Sequence, residues 1–169
     1  LREALYVGEG GQDLERLLQR MAAPATCIVT LTVTEKGYCL SPANGQLRLD
    51  DPVIAHDLAH PQAPRSAPGI VLEALRRRRV AGTPAFTVLC CDNMPDNGQR
   101  TRAAVSGLAR AQDADLAQWI DTQVAFPSSM VDRLVPAMDA DDFTQMEQQK
   151  GSADRDAVVC ERFRQWMIK

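Results

Sequence analysis

The sequence predicts an α/β fold, in which a mostly parallel sheet carries helices on both faces. Two observations support this class. Short apolar runs rich in β-branched residues occur at 27–34 and 86–91, and segments with apolar residues at helical spacing lie before, between and after them. Strand and helix therefore alternate along the chain. Connections of this length are long enough for helical crossovers between parallel strands.

Residues 13–21 are predicted to form the first helix, and residues 27–34 the first strand. The helix is indicated by apolar side chains at positions i, i+3, i+4 and i+7, namely Leu14, Leu17, Leu18 and Met21. The strand sequence CIVTLTVT is rich in β-branched residues and has almost no polar face. We therefore expect this strand to be buried on both sides. Residues 42–45 form a predicted surface turn.

The next predicted pair is a helix at 66–80 and a buried strand at 86–91. In this helix Pro68 lies in the first turn, where a missing N–H costs little, and Gly82 follows the last turn as a typical helix end. Its last turns carry four arginines, 76–79. Four consecutive helical positions point around the axis, so we interpret this run as a solvated face rather than a nucleic-acid surface.

The second half of the chain is predicted to contain mainly helices. They lie at 99–111, 114–123, 140–149 (exposed) and 160–169, with a strand or strand pair at 124–136 that Pro127 interrupts. Residues 151–156 are small and polar, and they form the best candidate linker.

The composition limits the classes of function. The chain has 169 residues, 45% of them hydrophobic, so it is one domain or a piece of a larger one. A net charge of -3 argues against nucleic acid as the main partner, and no apolar run approaches the ~20 residues that cross a membrane. Position 1 is Leu, which suggests missing upstream sequence. Five cysteines without a zinc-binding spacing indicate a reducing, cytoplasmic protein.

We predict no metal site. His56 and His60 are four residues apart, a spacing that allows two ligands on one helical face. However, their segment contains three prolines, and no glutamate lies between the two histidines. We therefore interpret residues 51–64 as containing a solvated helical turn.

Polar residues follow three predicted strands, at 34–38, 91–98 and 128–133. Ligands of parallel sheets bind beyond the carboxyl ends of the strands, so these loops are the candidate site. An amide at Asn93 is suited to polarising a substrate carbonyl, although capping a turn is an equally good explanation. For Asn97 we favour a cap of a turn or helix start. Asp132 either accepts a hydrogen bond from a ligand or pairs with Arg133, and the same ambiguity applies to Glu35.

Three segments carry a resemblance to a known family. TLTVTEKGY (30–38), CDNMPDNG (91–98) and FPSSMVDRLVP (126–136) together resemble the long-chain mannitol dehydrogenase family. The resemblance implies a Rossmann-like fold and NAD-dependent hydride transfer between a polyol or sugar acid and its keto form. The EKGYC segment favours D-mannonate and D-fructuronate over mannitol and fructose.

The resemblance also implies roles for particular residues. Asn93 would help hold the reacting oxygen, as a catalytic residue beside the nicotinamide. Asp132 would lie at the nicotinamide end of the cofactor, and Thr34 and Glu35 would lie near the cofactor.

The chain departs from the family pattern at both ends. The glycine-rich strand–turn–helix that seats the pyrophosphate is absent, and the family's catalytic lysine belongs to a C-terminal domain. We expect residues 1–155 to form a partial Rossmann domain and residues 156–169 to begin a helical substrate domain. The partners implied are the missing N-terminal segment and C-terminal domain, and the chain alone is expected to be inactive. The alternative is a non-catalytic, truncated Rossmann-like binding or interaction module.

Overall fold

A computed structural model describes residues 11–132, 140–151, 160 and 165–169. The helices in these ranges are α1 (Gly11–Ala22), α2 (Pro52–Ala59), α3 (Ala67–Val80), α4 (Asn97–Gln112), α5 (Ala114–Gln123) and α6 (Ala140–Lys150). The strands are β1 (Ile28–Leu31), β2 (Thr87–Cys90), β3 (Ser129–Asp132) and β4 (Gln165–Ile168), and a short 3-10 helix spans Glu35–Tyr38.

The strands form a parallel pair and an antiparallel pair. β1 runs parallel to β2, with Ile28 opposite Thr87, and the connection between them passes through α2 and α3. β3 pairs with β4 in antiparallel register, and the chain just before β3 adjoins β2 through a bond from Val88 N–H to the Ala125 carbonyl. The predicted α/β class is confirmed, and the third predicted strand pairs with the end of the chain.

The core lies between β2 and the helices α1, α3, α4 and α5. Helix α4 is central, because it packs against α3, α5 and β2. The largest fully buried apolar side chains include Leu18, Ile54, Leu72, Leu75, Phe86, Val88, Leu108, Leu116 and Ile120. A smaller cluster of Tyr38, Cys90 and Ala104 lies at the carboxyl end of β2.

Local signals explain the helix ends that were predicted correctly. Ser66 caps α3, since its hydroxyl oxygen accepts from the Gly69 N–H at 2.9 Å. Gly82 follows α3 with φ 64°, a conformation that favours glycine. Asp113 ends α4 and caps α5 through two backbone N–H groups. The predictions of helices at 66–80 and 114–123 are therefore confirmed.

The prediction that the first strand is buried on both sides is wrong. Exposed and half-buried residues alternate along β1, and Ile28 is 59% exposed. Alternate residues of a strand face opposite sides of the sheet, so one face of β1 is not covered by the described residues; its outer edge also has no described strand neighbour. The strand also ends at Leu31, three residues earlier than predicted.

The predicted helix at 160–169 is also wrong where the structure describes it. Residues Gln165–Ile168 form strand β4. The helical spacing of Phe163, Trp166 and Met167 was misleading, because a few apolar residues fit a strand as well as a helix. Pairing with β3 instead satisfies its backbone groups. The predicted boundary at 155/156 and most of the linker at 151–156 lie outside the described residues.

The arginine run is not a solvated face. Arg78 is 2% exposed, and its guanidinium donates to the Thr26 and Ala23 carbonyls and stacks over the Phe86 ring. Burial lowers its pKa. Arg77 donates two hydrogen bonds of 2.9 Å to Glu15 of α1. These cations therefore attach α3 to α1 and to the loop after it.

The segment with the two histidines is more ordered than a solvated turn. It forms α2, with Ile54 and Asp57 fully buried and the rings of His56 and His60 stacked at 4.7 Å. In the described part of the chain, no group of three or more His, Cys, Asp or Glu side chains is placed to hold a metal ion. Within the same ranges, no helix has the length and apolar character needed to span a membrane. All five cysteines are free thiols.

Candidate functional site

The structure brings together the three loops that the sequence singles out. Asp92, directly after β2, accepts from the N–H groups of Val33 and Thr34, both at 3.1 Å, and so joins the second loop to the first. Asn97 joins the second loop to the third, since its side-chain oxygen accepts from the Ser129 N–H at 2.9 Å. The loops therefore form one continuous surface at the end of the parallel strands.

Asp92 is the centre of a buried hydrogen-bond network. Its carboxylate is 7% exposed and also accepts from the Tyr38 hydroxyl at 2.5 Å and from the Cys90 thiol at 3.6 Å. Burial alone would raise the pKa of Asp92, but the bonds from Tyr38 and from the two backbone N–H groups lower it below its usual value. The carboxylate therefore stays ionised and fully bonded.

Tyr38 and Cys90 are kept neutral by the same environment. Burial is the main reason that the pKa of Tyr38 is raised, and its bonds to Asp92 and Cys90 raise it further. Burial likewise raises the pKa of the Cys90 thiol, although the bond from Tyr38 lowers it in part. Because neither group ionises readily, this network is suited to holding structure rather than to exchanging protons.

Thr34 has a backbone conformation that is unusual for a β-branched residue. Its φ is 64° and its ψ is 167°, a combination that is almost confined to glycine. The N–H of Thr34 donates to Asp92, and its carbonyl accepts from Gly37 at 3.1 Å. The chain turns sharply here, and the short helix after it brings Tyr38 back to the same carboxylate.

The junction between the second and third loops is closely packed. Asn97 is fully buried and donates from its amide nitrogen to the carbonyls of Asp92 and Ser129. A Cβ at Gly98 would lie 2.5 Å from the Phe126 carbonyl oxygen, so only glycine fits there. The Ser129 hydroxyl donates to the Cys90 carbonyl. Asn97 therefore links loops, and the predicted role of its side chain as a cap is wrong, because the cap residue Asp96 precedes it.

The four residues predicted for the site lie on this surface or at its edge. Asn93 is exposed and directly follows Asp92, and Thr34 is exposed and bonded to Asp92 through its N–H. Glu35 begins the short helix, is 74% exposed and lies 4.0 Å from Arg100. Asp132 is the last residue of β3, opposite Gln165 of β4. Thr34 and Asn93 are thus brought together through Asp92, whereas Asp132 lies three residues along β3 from the Ser129 junction.

Two cavities flank the loop that carries Asn93. One, of about 500 Å³, is lined by Met94, Pro95, Asp96, Ser128, Ser129, Met130, Met167, Ile168 and Lys169. The other, of about 590 Å³, is lined by Glu35, Lys36, Tyr38, Cys39, Leu40, Ser41, Pro42, Arg48, Asp51, Met94 and Arg100. The first cavity is mainly apolar, and the second holds three cationic side chains against two carboxylates.

The sequence analysis missed the residues that hold these loops together. Asp92 lies beside Asn93 in the same motif, and Tyr38 ends the first loop, yet neither was considered for a role. A carboxylate directly after a buried strand was the available signal, because such a group needs several donors to remain ionised. Its partners lie 54 to 59 residues away in the sequence, so spacing could not identify them.

Comparison with known proteins assigns this arrangement to a family. Residues 4–169 match the model of the mannitol dehydrogenase Rossmann domain. The chain is 50% identical to the D-mannonate oxidoreductase of Escherichia coli strain K12 over all 169 residues, which cover 34% of that protein. It is 48% identical to the mannitol 2-dehydrogenase of Cereibacter sphaeroides over 157 residues, or 93% of this chain and 32% of that protein.

A solved structure supports the same assignment. The mannitol 2-dehydrogenase of Pseudomonas fluorescens, solved as a ternary complex with NAD and D-mannitol, superposes with a TM-score of 0.81 at 43% identity. The match covers 92% of this chain and 32% of that one. This likeness confirms the predicted Rossmann-like fold. The chain spans about a third of the length of the relatives it matches.

Proposed function

This chain belongs to the mannitol dehydrogenase family, and we propose that it is the part of an NAD-dependent oxidoreductase that holds the nicotinamide end of the cofactor. The enzyme would interconvert a polyol or sugar acid and its keto form. The observation that carries the proposal is the convergence of three loops on Asp92 and Asn97 at the end of the parallel strands. Ligands of open α/β sheets bind at this edge.

The residues present fit a nicotinamide nucleotide. The cavity of about 500 Å³ beside Asn93 combines an apolar wall, which includes Met94 and Met130, with the hydroxyl of Ser128 and the side chain of Lys169. A flat ring with a polar substituent needs this combination. Asn93, Asp132, Thr34 and Glu35 are the residues proposed to hold the cofactor from the loops around this cavity, and Glu35 also lines the second cavity. When bound, NAD supplies the acceptor or donor of the hydride.

Asn93 is the residue proposed to act on the reacting oxygen. Asn93 is exposed, and its neighbour Met94 lines both cavities, so the Asn93 amide is proposed to donate to a substrate carbonyl or alkoxide there. Such a bond strengthens as negative charge develops on that oxygen. Asn93 is anchored through its neighbour Asp92, whose carboxylate is fixed by three donors from the first loop. The backbone beside the reacting oxygen is therefore rigid.

The proton is proposed to move to a base outside these 169 residues. Tyr38 and Cys90 have raised pKa values and Asp92 has a lowered one, so the buried groups at this edge are poor acceptors near neutral pH. A general base contributes about 10²–10⁴-fold to rate. We therefore expect the chain alone to bind the cofactor without turnover at an enzymic rate.

A sugar acid is proposed as the substrate, with D-mannonate and D-fructuronate favoured over mannitol and fructose. The support is the cavity of about 590 Å³, where Lys36, Arg48 and Arg100 provide cations for a carboxylate. The ion pairs of Arg48 and Arg100 are long, 3.6 to 4.0 Å, and Arg100 also donates from Nε to the Pro95 carbonyl at 3.3 Å, so a substrate carboxylate is proposed to bind their terminal nitrogens. Identities of 50% and 48% to a mannonate and a mannitol enzyme do not separate the two substrates.

The test is a titration of the purified chain with NADH, followed by nicotinamide fluorescence, and then an assay of NADH oxidation with D-fructuronate and with D-fructose. We expect binding, and no oxidation at an enzymic rate with either sugar. In thermal unfolding with NAD present, D-mannonate should stabilise the chain more than D-mannitol does. An absence of NADH binding would contradict the proposed function, and rapid oxidation would contradict the expected inactivity.

A second candidate function is a non-catalytic binding or interaction module. The observation behind it is exposed apolar surface, which a module would use to bind a partner and a part of a larger enzyme would bury against the rest of that enzyme: Trp166 and Ile168 of β4 are 57% and 54% exposed, and Ile28 lies on the open edge of β1. Such a module should be a monomer or a defined dimer in sedimentation. A part of a larger enzyme should self-associate through these surfaces.

A further inference from the structure

We propose that Asp92 is a positioning residue that holds Thr34 in a backbone conformation otherwise adopted by glycine, and thereby fixes the 33–38 loop at the end of β1. The proposal concerns the loop itself. Its consequence for cofactor binding rests on the proposed function.

The contacts of Asp92 enclose both ends of this loop. Its carboxylate accepts from the N–H groups of Val33 and Thr34 at the start, and from the Tyr38 hydroxyl at the end. Tyr38 is 2% exposed, so its hydroxyl has no access to water as an alternative partner. One buried charge therefore closes a loop of six residues against the segment that follows β2 and contains Asn93.

The backbone of Thr34 is the strained part of this loop. Its φ of 64° with ψ of 167° lies in a region almost limited to residues without a Cβ. A threonine adopts it only where surrounding contacts overcome the strain. The two bonds from Val33 and Thr34 to an ionised, buried acceptor are such contacts, because charge-assisted bonds are about twice as strong as neutral ones.

The chain contains a matched control for this arrangement. Asp57 is fully buried and accepts from the N–H groups of Arg65 and Ser66 and from the Ser66 hydroxyl, at 2.7, 3.0 and 2.5 Å. Two backbone N–H groups and a hydroxyl are also the main donors to Asp92; Asp57 contacts His56 Nδ1 at 3.1 Å where Asp92 has the Cys90 thiol. No residue with positive φ lies among its partners.

The experiment measures amide hydrogen exchange in the 169-residue chain. The reporters are the N–H of Gly37, which donates to the Thr34 carbonyl, and the N–H of Cys39, which donates to Lys36. Asp92→Asn should raise exchange at both amides about tenfold or more relative to the rest of the chain. Thr34→Gly in the same chain should restore most of the protection, because glycine adopts this conformation without strain. Asp57→Asn should leave both amides unchanged.

Unchanged exchange in Asp92→Asn, or failure of Thr34→Gly to restore protection, would overturn the proposal. If Asp92→Asn alone does not fold, the double variant decides: folding with protected amides supports the proposal, and failure to fold overturns it.

An NADH titration separates the loop from the function. We expect Asp92→Asn to weaken NADH binding about tenfold and Asp57→Asn to leave it unchanged. If the wild-type chain binds no NADH while the exchange pattern holds, the proposed function fails and the role of Asp92 in the loop stands. If Asp92→Asn binds NADH normally although the loop exchanges fast, the link between loop and cofactor is wrong.

Discussion

Asp57 and Asp92 are two buried carboxylates with nearly the same bonds and different consequences. Each accepts from two backbone N–H groups and from a hydroxyl at 2.5 Å. The partners of Asp57 lie eight and nine residues further along the chain, where they order the start of α3. Those of Asp92 lie 54 to 59 residues earlier, in another strand's loop. The same chemistry thus starts a helix in one region and joins two strand ends in the other.

Only the second region combines this bonding with strain and exposed polar groups. Thr34 carries the strain, and Asn93 is an exposed amide in a loop whose next residue, Met94, lines two cavities. A strained backbone conformation persists only where surrounding contacts hold the residue in it, and such places are often functional sites. The comparison shows that a buried carboxylate alone does not mark a site. The geometry of the groups that it positions does.

The largest expected effect on stability comes from one closely packed glycine in each region, Gly98 at the start of α4 and Gly69 in the first turn of α3. A Cβ at Gly98 would lie 2.5 to 2.6 Å from backbone atoms of Phe126 and Pro127, whereas one at Gly69 would meet the Asp57 carboxylate and Pro64 side-chain atoms. Backbone cannot rotate away, so Gly98→Ala should lower the free energy of unfolding by about 3 kcal/mol, and Gly69→Ala by about 2 kcal/mol. Urea unfolding measures both values.

Gly45→Ala is the control for these substitutions. Gly45 has φ 69° and no atom within 4 Å of an added Cβ, so it isolates conformational strain at about 1 kcal/mol. If Gly98→Ala costs no more than Gly45→Ala, the close contact between the start of α4 and residues 126–127 is not present in solution.

The pH dependence of stability tests the lowered pKa of Asp92. The folded-state pKa of Asp92 lies below its ordinary value of 3.8. Its contribution to stability is therefore fully present above that value, and it is lost as the pH falls through the folded pKa. The wild-type chain should lose unfolding free energy between about pH 5 and pH 2 more steeply than Asp92→Asn does. Equal slopes would show that Asp92 titrates normally.

The alkaline side follows from Tyr38 and Cys90 in the same region. Their folded-state pKa values lie above the ordinary 10.0 and 9.0, chiefly because of burial. The stability they contribute is present below those ordinary values, and it declines as the pH rises past them. Tyr38→Phe and Cys90→Ala should each reduce the loss of stability measured between pH 9 and pH 11. A loss as steep as that of the wild type would contradict this assignment.

The elements with local signals were predictable from the sequence. The apolar period and the Ser66 cap determine α3, and Asp113 with the apolar side of α5 determines the next helix. Strand β2 was predictable because three of its four residues are apolar and buried. Strand β4 was not, because its four residues fit helical spacing and their pairing depends on β3, far away in the sequence.

The candidate site was predictable in position but not in its connections. The three loops were found because polar residues follow apolar strands. The burial of Arg78 and the closure of the 33–38 loop were not found, because both depend on partners more than fifty residues away. A sequence motif shows which residue types are adjacent. It does not show which carboxylate accepts hydrogen bonds from distant N–H and O–H groups.

The smallest expected effect on stability is at Asn93. Its contrast with Asn97 tests whether one asparagine binds the ligand while the other holds the loops together. Asn97 is fully buried, and its side chain makes one bond to the Asp92 carbonyl of its own loop and two bonds to Ser129 of the third loop, so Asn97→Ala should lower the free energy of unfolding by about 2 kcal/mol. Asn93 is exposed, so Asn93→Ala should change it by less than about 0.5 kcal/mol.

Measurements of ligand affinity should show that Asn93 contributes to binding. If its amide holds the reacting oxygen beside the nicotinamide, Asn93→Ala should weaken NADH binding in the presence of D-fructuronate about tenfold, the equivalent of one lost hydrogen bond of roughly 1.4 kcal/mol. Fluorescence titration measures this, with Asp57→Asn as the control that leaves affinity unchanged. Unaltered affinity in Asn93→Ala, with unaltered stability, would mean that the amide only occupies an exposed turn. The binding role in this region would then belong to other groups of the three loops.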